Sequence, residues 1–539
     1  MKIALCQINP IVADFEGNAK LIMSYYEKAK ASGAELCVFP ELALTGYPPL
    51  DIIERKDFID KALEVMNTLI VPNISGCGIV FGSINHNKHS GKPYYNSAFF
   101  VDNGRVVYVI NKQLLPTYDL FDERRYYQEG SGSSPVYYKG LRLGIHICED
   151  MWRNESPYSQ KLYDTDPVDS LGEQGVDLFI NLSASPFARA KDVKRQRIMS
   201  RYATKWKVPF LMVNTVGAND SVVFDGRSKI IDKDGKLVRE LKAFSEDLYV
   251  ADTNNVEVGD SVKSSDIETV HDALVLGLKD YVRKNGLEKI VIGLSGGIDS
   301  SVCAVLSKEA IGAENVTCVT MPTRYSSEGS VKDSQKLCKK INVKLDEVNI
   351  DDAFSLLSGK GAFSSDGLEN MQPRVRGLLL MAYANSVPKS IVIAPGNKSE
   401  IAVGYCTIYG DTCGALALIG DLYKTEVYEL AKYINRNEEI IPIEIIEKHP
   451  SAELKPNQKD TDTLPPYPVL DETLRLYIEE QLSPGEIYSK VKLKKELVDK
   501  VIDMVLRNEF KRKQLPPVIK VSSRAFVLDR RWPIVHRFR

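Results

Sequence analysis

The stretch KIVIGLSGGIDSSV, residues 289–302, decides how the second half of the chain folds. Residues 290–294 are apolar and typical of a buried strand, and from Ser300 onward apolar side chains recur at helical spacing. The segment SGGIDSS therefore lies in a strand-to-helix turn. Gly296 and Gly297 let the backbone approach an anion, and the helix that follows directs its N–H groups at that anion. The pattern predicts a phosphate-binding loop, in which the Asp299 carboxylate suits magnesium.

This loop differs from the two commonest glycine-rich loops. It has neither the GKS or GKT ending of a Walker A loop nor the GxGxxG spacing of a dinucleotide-binding fold. It resembles instead the pyrophosphate loop of the ATP pyrophosphatases, which split ATP into AMP and pyrophosphate. The alternative is an ordinary Gly-Ser turn, which the strand–turn–helix setting disfavours. The resemblance implies that ATP binds to the residues of this turn: Gly293, Leu294, Ser295, Gly296, Gly297, Ile298, Asp299 and Ser300.

Length and composition limit the possible classes of protein. With 539 residues the chain is too long for one hydrophobic core, so two or three domains are expected. A hydrophobic content of 44% and a charged content of 26% are typical of a soluble globular enzyme, and a net charge of −2 argues against a nucleic-acid binder. We see no signal peptide and no apolar run of about 20 residues, so no membrane segment is expected. The nine cysteines show no CxxC pair or zinc spacing, which favours a reduced, cytoplasmic protein.

The first half of the chain alternates strands, helical segments and hairpins. A helix is expected at about residues 17–31. Turn residues between β-rich runs indicate two hairpins, at Asp102-Asn103-Gly104 and at Asp234-Gly235. Hairpins with interspersed helices favour an α/β sandwich over a purely parallel sheet. The strands and hairpins are predicted at residues 1–8, 35–41, 78–84, 96–112, 141–150, 177–187, 208–217 and 228–241.

A polar segment without periodicity, residues 253–267, is predicted to link a domain at 1–252 to a domain at 268–539. A helix follows the linker and stops at Gly286. Later strands and helices form a βαβ series, which predicts a doubly wound, Rossmann-like parallel sheet with its ligand at the carboxyl ends of the strands. The tail is expected to be helical, with an N-cap at Ser483. The strands after the pyrophosphate-loop strand are predicted at residues 315–322, 344–350 and 390–396.

Three predicted strand ends in the first half carry reactive side chains: Glu41, Lys112 and Cys148. Each has an ordinary structural explanation when it is considered alone, since a cysteine that ends an apolar strand usually belongs to the core. Together they form a set that can cleave an amide. A thiol is mostly protonated at neutral pH, so it needs a base, and Glu41 can take the proton. Lys112 can favour the thiolate and stabilise the oxyanion that forms on attack.

Four further segments extend this set: FPEL…TGYPP, NKQLLPTYDLFDERRYY, GIHICEDMW and NLSASPF. They resemble the nitrilase (carbon–nitrogen hydrolase) superfamily over roughly the first 250 residues. The resemblance implies an α-β-β-α sandwich, a Glu41–Lys112–Cys148 triad, and Glu123 as a second glutamate that positions the lysine. Release of ammonia from the glutamine side chain, through a glutamyl thioester, is the implied chemistry. The residues implied to contact glutamine are Tyr118, Glu149, Ser185 and Lys191, with Arg189 as an alternative to Lys191.

An ammonia source fused to an AMP-forming ATP site suggests that a carboxylate is adenylated and then amidated. GMP synthetases share the SGG-D-S loop, but they pair it with an amidotransferase built on Cys-His-Glu. The glutamine-dependent NAD synthetases carry a nitrilase domain, as this chain does. Further segments resemble that family, namely residues 369–385, 394–414, 421–431, 454–471 and 508–517. The resemblance covers nearly the whole chain and implies conversion of nicotinic acid adenine dinucleotide (deamido-NAD) to NAD.

The resemblance also implies roles for individual residues in the second half. Asp299 and Glu400 would hold magnesium, and Lys424 would reach the ATP phosphates. The chain departs from the family at Pro395, where many members have a threonine, so a hydroxyl contact to ATP is lost while the carbonyl remains. The residues implied to contact deamido-NAD are Asn370, with Arg374 and Arg376 near it, Glu400, and Lys511, which could act in a neighbouring subunit of a homo-oligomer.

Two alternatives stay open at this stage. The chain could be a different glutamine-dependent, AMP-forming amide ligase with another carboxylate substrate. It could also be an ammonia-dependent synthetase whose nitrilase-like half is structural. Arg374 and Arg376 could be ordinary surface charges, and Lys511 could belong to a solvated helix end.

Overall fold

The computed structural model describes residues 1–155, 160–253, 265–455, 458–491, 493–526 and 529–536. The chain divides into two compact units, Met1–Ser264 and Ser265–Arg539. Most of the predicted linker, residues 254–264, lies outside the described residues. A helix at Asp266–Lys284 starts before the predicted linker ends, because Ser265 caps it and exchanges hydrogen bonds with Glu268.

Two mixed six-stranded sheets form the first unit, together with a two-stranded hairpin of β10 and β11. Their orders are β14-β1-β2-β3-β4-β5 and β13-β12-β9-β8-β7-β6. The strands are β1 (Lys2–Gln7), β2 (Leu36–Val38), β3 (Gly78–His86), β4 (Tyr94–Asp102), β5 (Arg105–Asn111), β6 (Val136–Tyr138), β7 (Leu141–Ile147), β8 (Leu178–Ser183), β9 (Phe210–Asn214), β10 (Val216–Asn219), β11 (Val222–Asp225), β12 (Lys229–Ile231), β13 (Leu237–Glu240) and β14 (Asp247–Asp252).

The hydrophobic core of the first unit lies between the two sheets. Leu5 and Val80 of the first sheet pack in one cluster with Ile145 and Leu182 of the second. Helices cover both outer faces: α1 and α2 contact strands of the first sheet, and α4 and α5 contact strands of the second. The α-β-β-α sandwich is therefore confirmed. The helices of this unit are α1 (Phe15–Ala31), α2 (Lys56–Val65), α3 (Glu123–Tyr126), α4 (Pro167–Glu173) and α5 (Lys191–Trp206).

Both predicted hairpins are present, as β4–β5 and β12–β13. The first turns through Asn103 and Gly104, whose φ angles of 43° and 74° match the conformation that Asn-Gly favours. Sequence analysis missed β6, the β10–β11 hairpin and β14. These strands are short, and β14 pairs with β1 from the far end of the unit, so no local pattern predicts the pairing.

The second unit contains a five-stranded, entirely parallel sheet in the order β17-β16-β15-β18-β19. The order reverses next to β15, as in a doubly wound fold, which confirms the predicted class. Val291 of β15 packs against Leu380 of a long helix on one face, while Ile290 and Ile292 alternate with it and point to the other face. The strands are β15 (Lys289–Gly293), β16 (Val316–Thr320), β17 (Lys344–Glu347), β18 (Ser390–Ala394) and β19 (Leu416–Ala417), the last of which sequence analysis missed.

Helices surround this sheet and continue into the tail. Lys398 ties the two regions together, since its buried ammonium donates to Glu479 Oε1 at 2.7 Å and to Ser522 Oγ at 2.8 Å. None of the helices within the described ranges is long and apolar enough to cross a membrane. The helices are α6 (Asp266–Lys284), α7 (Ile298–Ile311), α8 (Glu328–Ile341), α9 (Asp351–Ser358), α10 (Ser365–Ser386), α11 (Lys398–Val403), α12 (Lys424–Ile434), α13 (Ile443–Glu447), α14 (Tyr467–Ile478), α15 (Pro484–Val491), α16 (Lys495–Arg507) and α17 (Glu509–Arg512).

Candidate active sites

The first candidate site lies in the sandwich unit, where Glu41, Lys112 and Cys148 come together. Lys112 directly follows β5, Cys148 directly follows β7, and Glu41 follows β2 by a few residues. All three are buried: the exposed fraction is 1% for Glu41, 1% for Lys112 and 6% for Cys148. The structure thus brings the three predicted side chains into one interior site.

A dense set of donors fixes the Glu41 carboxylate. Its Oε1 accepts hydrogen bonds from Lys112 Nζ at 2.8 Å and from Asn96 Nδ2 at 2.7 Å. Its Oε2 accepts from the backbone N–H of Ala184 at 2.8 Å. The Oε2 atom therefore carries a single donor within the described part of the chain and keeps room to accept a proton.

Lys112 bridges two carboxylates, because its Nζ also lies 2.9 Å from Oε1 of Glu123. Burial alone would lower the pKa of Lys112, but the charges of Glu123 and Glu41 raise it well above its ordinary value. Burial raises the pKa of Glu123 to about 7, against the opposing effect of Lys112. Tyr47 donates a further hydrogen bond to Glu123 at 2.9 Å. Lys112 is therefore held between Glu41 and Glu123, and the role of Glu123 as a positioning carboxylate stays a prediction.

Cys148 lies in a one-turn helix, Cys148–Met151, directly after β7. Its φ of 42° is unusual for a residue other than glycine and indicates a constrained turn. Burial raises the pKa of the thiol well above its usual range, and Glu41 raises it further, while Lys112 acts in the opposite direction. Lys112 alone thus does not produce a resting thiolate. A Cys148 thiol of raised pKa has to lose its proton as the sulfur attacks, and the adjacent Glu41 carboxylate can accept that proton.

Asp150 links the turn of Cys148 to the segment of Lys112, a connection that sequence analysis did not identify. One oxygen of its carboxylate accepts the N–H of Ile147 at 3.0 Å. The other accepts the N–H groups of Gln113 and Leu114, at 3.0 and 2.9 Å. The sequence signal that could have identified Asp150 is its position in CEDMW, within a segment that carries the nitrilase resemblance. The Asp150 carboxylate thus connects the turn that carries Cys148 to the segment that follows Lys112.

Glu149 lies next to the nucleophile and is buried. The phenol of Tyr118 donates to both of its oxygens at 2.9 and 3.0 Å, and the phenol of Tyr163 donates to Oε1 at 2.9 Å. Burial raises the pKa of Glu149 to about 7, while Lys112 and the two phenols oppose the shift. A partly charged, buried carboxylate of this kind can pair with an incoming ammonium.

Ser185 and Lys191 lie on a neighbouring segment, between β8 and the first turn of α5. Ser185 is buried, and its backbone N–H donates to Oδ1 of Asn214 at 2.9 Å. The ammonium of Lys191 lies over the rings of Phe121 and Trp152, 5.6 and 5.7 Å from their centroids. Arg189 precedes Lys191 and is half-buried. Predicted contacts with a ligand at Ser185 and Lys191 stay predictions.

The second candidate site is a cavity of about 280 Å³ in the second unit, at the carboxyl ends of β15, β16 and β18. This is where a doubly wound fold binds ligands. The predicted loop lines the cavity at Gly293, Leu294, Ser295, Gly297, Ile298, Asp299 and Ser300, and Pro395, Glu400 and Lys424 line it as well.

The loop is compact and held by its own serines. The backbone N–H of Ser295 donates to Ser300 Oγ at 3.2 Å, and that of Gly297 donates to Ser295 Oγ at 3.2 Å. Gly296 has a φ of 74°, and a Cβ there would come within 2.3 Å of the Ser330 carbonyl oxygen. Gly296 is required both by its conformation and by the close approach of α8.

Lys424 joins the two carboxylates that were predicted to hold a metal. Its ammonium contacts Oδ2 of Asp299 and lies 3.3 Å from Oε1 of Glu400. Burial alone would lower the pKa of Lys424, but Asp299 and Glu400 raise it well above its usual range. Burial raises the pKa of Glu400 to about 8. Asn397 donates to the other oxygen of Asp299 at 3.0 Å.

Asp460 completes this cluster and was not singled out from the sequence. It accepts hydrogen bonds from the phenols of Tyr467 at 2.8 Å and Tyr405 at 3.3 Å. Tyr467 also lies 3.5 Å from Oε1 of Glu400. Asp460 lines the cavity, within the segment 454–471 that carries part of the family resemblance.

The carboxylates of Asp299 and Glu400 suit a hard divalent cation that is also bound by other ligands. In the ranges that the structure covers, no three His, Cys, Asp or Glu side chains are arranged to hold a metal by themselves. Magnesium is usually held by one or two carboxylates together with phosphate oxygens and water. Asp299 and Glu400, beside a phosphate-binding loop, fit that mode.

Two other residues predicted to contact deamido-NAD, Asn370 and Lys511, are not among the residues that line the cavity. The Asn370 side chain donates to the Asp366 carbonyl at 2.8 Å and accepts from Thr407 Oγ1 at 2.7 Å. Lys511 Nζ donates to the carbonyls of Gly404 and Cys406 at 2.7 and 2.8 Å. Both therefore lie against the segment 404–411, and their roles stay predictions.

The two arginines near Asn370 differ in position. Arg376 lines the cavity and donates from Nε to the Met321 carbonyl at 3.1 Å. Arg374 is exposed and donates to the Ile408 carbonyl at 3.3 Å. Arg376 is thus the better placed of the two to meet a ligand in the cavity.

Comparison with known proteins gives matches over both units. A carbon-nitrogen hydrolase family model matches residues 2–261, and an NAD synthase family model matches residues 270–515. Glutamine-dependent NAD(+) synthetases of Synechocystis and Thermotoga maritima are each 40% identical to the chain, the first over 99% of both chains, the second over 100% of this chain and 99% of its own. A solved glutamine-dependent NAD+ synthetase of Acinetobacter baumannii, in complex with ADP, is 34% identical and superposes with a TM-score of 0.77, covering 99% of this chain and 98% of that one.

Proposed function

Because this chain belongs to the family of glutamine-dependent NAD(+) synthetases, we propose that its two sites divide one ligase reaction between them. The Cys148 site releases ammonia from glutamine, and the cavity at the loop of residues 293–300 uses that ammonia to convert deamido-NAD to NAD. The observation that carries the first assignment is the buried Glu41–Lys112–Glu123 cluster beside Cys148. The position of this cluster next to the constrained Cys148 thiol is what points to amide cleavage.

The proposed first step forms a bond between Cys148 Sγ and the carbon of the glutamine side-chain amide. The thiol proton passes to Glu41, whose Oε2 atom keeps acceptor capacity. Lys112, held by two carboxylates, stabilises the negative oxygen of the tetrahedral intermediate. Glu41 then returns the proton to the departing nitrogen, ammonia leaves, and a glutamyl thioester remains. Water activated by Glu41 hydrolyses the thioester to glutamate.

Glutamine is held at its other end by charge. We assign its α-ammonium to Glu149, which Tyr118 orients by donating to both carboxylate oxygens. We assign its α-carboxylate to Lys191, which lies beside the rings of Phe121 and Trp152. Ser185 supplies a polar contact from a segment that Asn214 holds in place.

In the second site the carboxylate of deamido-NAD attacks the α-phosphorus of ATP, and the bond to the β-phosphate breaks. The loop from Gly293 to Ser300 receives the pyrophosphate at the N-terminus of α7. Ammonia then displaces AMP from the acyl adenylate to give NAD. Lys424 contacts the phosphates, and Asp299 and Glu400 would hold Mg²⁺, which neutralises charge on the phosphate oxygens when bound. Pro395 lines the same cavity, and we propose that its carbonyl replaces the lost hydroxyl contact to ATP.

For deamido-NAD we keep Asn370, Glu400 and Lys511 as proposed contacts; Glu400 lies in α11, and Lys511 donates to carbonyls of the segment that follows it. The same proposal includes a cytoplasmic location and a homo-oligomeric state. All nine cysteines are unpaired thiols, as expected in a reducing compartment. Sedimentation analysis of the purified chain tests the oligomeric state directly.

A product assay tests the substrate assignment. Purified protein is incubated with ATP, magnesium chloride and glutamine, and with deamido-NAD or nicotinic acid mononucleotide as the acid. Formation of NAD with stoichiometric AMP and pyrophosphate, and no amide from the mononucleotide, supports the assignment. Amidation of the mononucleotide instead would move the protein to the alternative of a different AMP-forming amide ligase.

A further inference from the structure

Tyr163 is a buried residue at the Cys148 site to which no role has been assigned above. It lies in the segment between the turn of Cys148 and α4, 14 residues after Glu149. Its exposed fraction is 6%, and its phenol donates to Oε1 of Glu149 at 2.9 Å. The same Oε1 also accepts from Tyr118, so two phenols converge on one carboxylate oxygen.

The residues that follow Tyr163 are anchored to the rest of the unit. Arg153 Nη2 donates to the carbonyl of Asp164 at 3.1 Å. The carboxylate of Asp166 accepts from Tyr202 at 2.9 Å and caps α4 by accepting the N–H of Asp169. These contacts hold the backbone directly after Tyr163, while its phenol is held by the hydrogen bond to Glu149.

The surroundings of Glu149 explain why it needs two phenols. The charged and titratable groups that act on it are Lys112 from the end of β5, Glu123 from α3, and the phenols of Tyr118 and Tyr163, with Cys148 as its chain neighbour. Lys112 is already committed to Glu41 and Glu123. Lys112 therefore favours the charged form of Glu149 through its charge, while the side-chain hydrogen bonds that Glu149 accepts at this site come from the two phenols.

We propose that Tyr163 is a positioning residue that sets the specificity for amides bearing an α-amino group, by holding the Glu149 carboxylate in place for the α-ammonium of glutamine. The inference rests on the proposed glutamine site. Tyr118 donates to both oxygens, whereas Tyr163 donates to Oε1 alone, so the second phenol distinguishes the two oxygens and adds a restraint on rotation of the carboxylate. A rotated or protonated Glu149 would no longer pair with the ammonium.

The test is Tyr163→Phe, assayed by glutamate release from glutamine and by hydrolysis of 4-carbamoylbutanoate, which is glutamine without its α-amino group. Loss of one hydrogen bond to a charged group should raise KM for glutamine about tenfold. The kcat should change little, because Cys148, Glu41 and Lys112 are untouched. The kcat/KM for 4-carbamoylbutanoate should stay within about twofold of wild type. Loss of the Tyr163 hydrogen bond should make Glu149 easier to protonate in the variant. The rise in KM relative to wild type should therefore be larger at pH 6 than at pH 8.5.

Tyr26→Phe is the matched control. Tyr26 lies on α1 and is also a buried phenol of this unit, donating to the carbonyls of Ser75 and Cys77. In the part of the chain that the structure describes, its phenol makes no hydrogen bond to a residue of the Cys148 site. Its removal should lower stability without changing the ratio of kcat/KM for the two amides. Urea unfolding followed by circular dichroism reports whether the first unit of each variant is folded.

Equal losses for both amides in Tyr163→Phe would overturn the proposal and assign Tyr163 a structural role. Glu149→Gln separates this failure from failure of the glutamine site itself. If that variant keeps the wild-type KM for glutamine, then Glu149 does not bind the α-ammonium, and the proposed mode of glutamine binding is wrong. If it raises KM while Tyr163→Phe does not, only the role of Tyr163 is refuted.

Discussion

The Nζ atom of Lys112 lies 2.8 Å from Oε1 of Glu41, and both side chains are 1% exposed. The residues that we propose as the base and as the oxyanion-stabilising cation thus form a buried ion pair in the absence of substrate. Burial and the negative charge of Glu41 both raise the pKa of the Cys148 thiol, and together they outweigh the opposite effect of Lys112. Reaction then requires that Glu41 takes the proton while the cation turns to the new oxyanion, with little rearrangement.

Glu41→Gln should abolish the base but preserve the shape of the site. Glutamine at position 41 can still accept from Lys112, and Lys112 keeps Glu123 as its counter-charge. We expect kcat for glutamine hydrolysis to fall about 10²- to 10⁴-fold, the usual contribution of a general base. NAD formation from ammonium should stay at the wild-type rate. A glutaminase rate within threefold of wild type would contradict the role of Glu41.

Gly296→Ala and Gly297→Ala form a matched pair in the phosphate loop. A Cβ on Gly296 would come within 2.3 Å of the Ser330 carbonyl oxygen at a φ of 74°, whereas one on Gly297 meets only the flexible Ser295 side chain, at 3.2 Å. Gly296→Ala should therefore remove most synthetase activity with either nitrogen donor, and Gly297→Ala should cost far less. Steady-state NAD formation with ammonium measures both. Similar rates for the two variants would show that the loop is not held as described.

Lys424→Met tests the charge cluster of the cavity. Removing the cation leaves the half-buried carboxylates of Asp299 and Glu400 side by side, so the variant should lose affinity for ATP and most NAD formation from both nitrogen donors. Glutamine hydrolysis by the first unit should continue. Isothermal titration with ATP and magnesium chloride, alongside the two assays, checks this expectation. Tight ATP binding in the variant would rule out a phosphate contact by Lys424.

His271 should make the stability of the second unit depend on pH. Its Nε2 lies 2.8 Å from Glu309 and its Nδ1 lies 3.0 Å from Asp272, an arrangement that bridges α6 and α7. Burial alone would lower the pKa of His271, but the two carboxylates raise it from 6.5 to about 9. The folded-state pKa is the higher one, so the stabilisation is complete below about pH 6.5 and is lost as pH rises through about 9.

The matched variant for this prediction is His271→Gln, which keeps hydrogen-bonding capacity but no charge. Wild type should exceed it in the free energy of unfolding by about 2 kcal/mol at pH 6, after allowance for the partial exposure of the ring. The difference should shrink towards zero at pH 10. Urea unfolding of both proteins, followed by circular dichroism at the two pH values, measures it. A difference that does not depend on pH would mean that the pKa of His271 is the same in the folded and unfolded states, which would contradict the prediction.

Sequence analysis identified the groups that lie directly at strand ends or in a compact motif. Lys112 and Cys148 follow buried strands, and residues 293–300 combine a strand, a glycine turn and a helix, so local patterns suffice there. The residues it missed support others from distant parts of the chain. Asp150 holds backbone N–H groups of the Lys112 segment, and Tyr163 reaches Glu149 from a segment without regular structure. Tyrosine and aspartate carry no periodic signal, so only the fold shows what they contact.

The central claim is that two separable sites carry the reaction, and one comparison tests it most directly. NAD formation from deamido-NAD, ATP and magnesium chloride is measured with glutamine and with ammonium, for wild type and for Cys148→Ala. We predict that the variant loses the glutamine-dependent reaction and retains the ammonium-dependent one. Full glutamine-dependent activity in Cys148→Ala, or no NAD from either donor in wild type, would contradict the account.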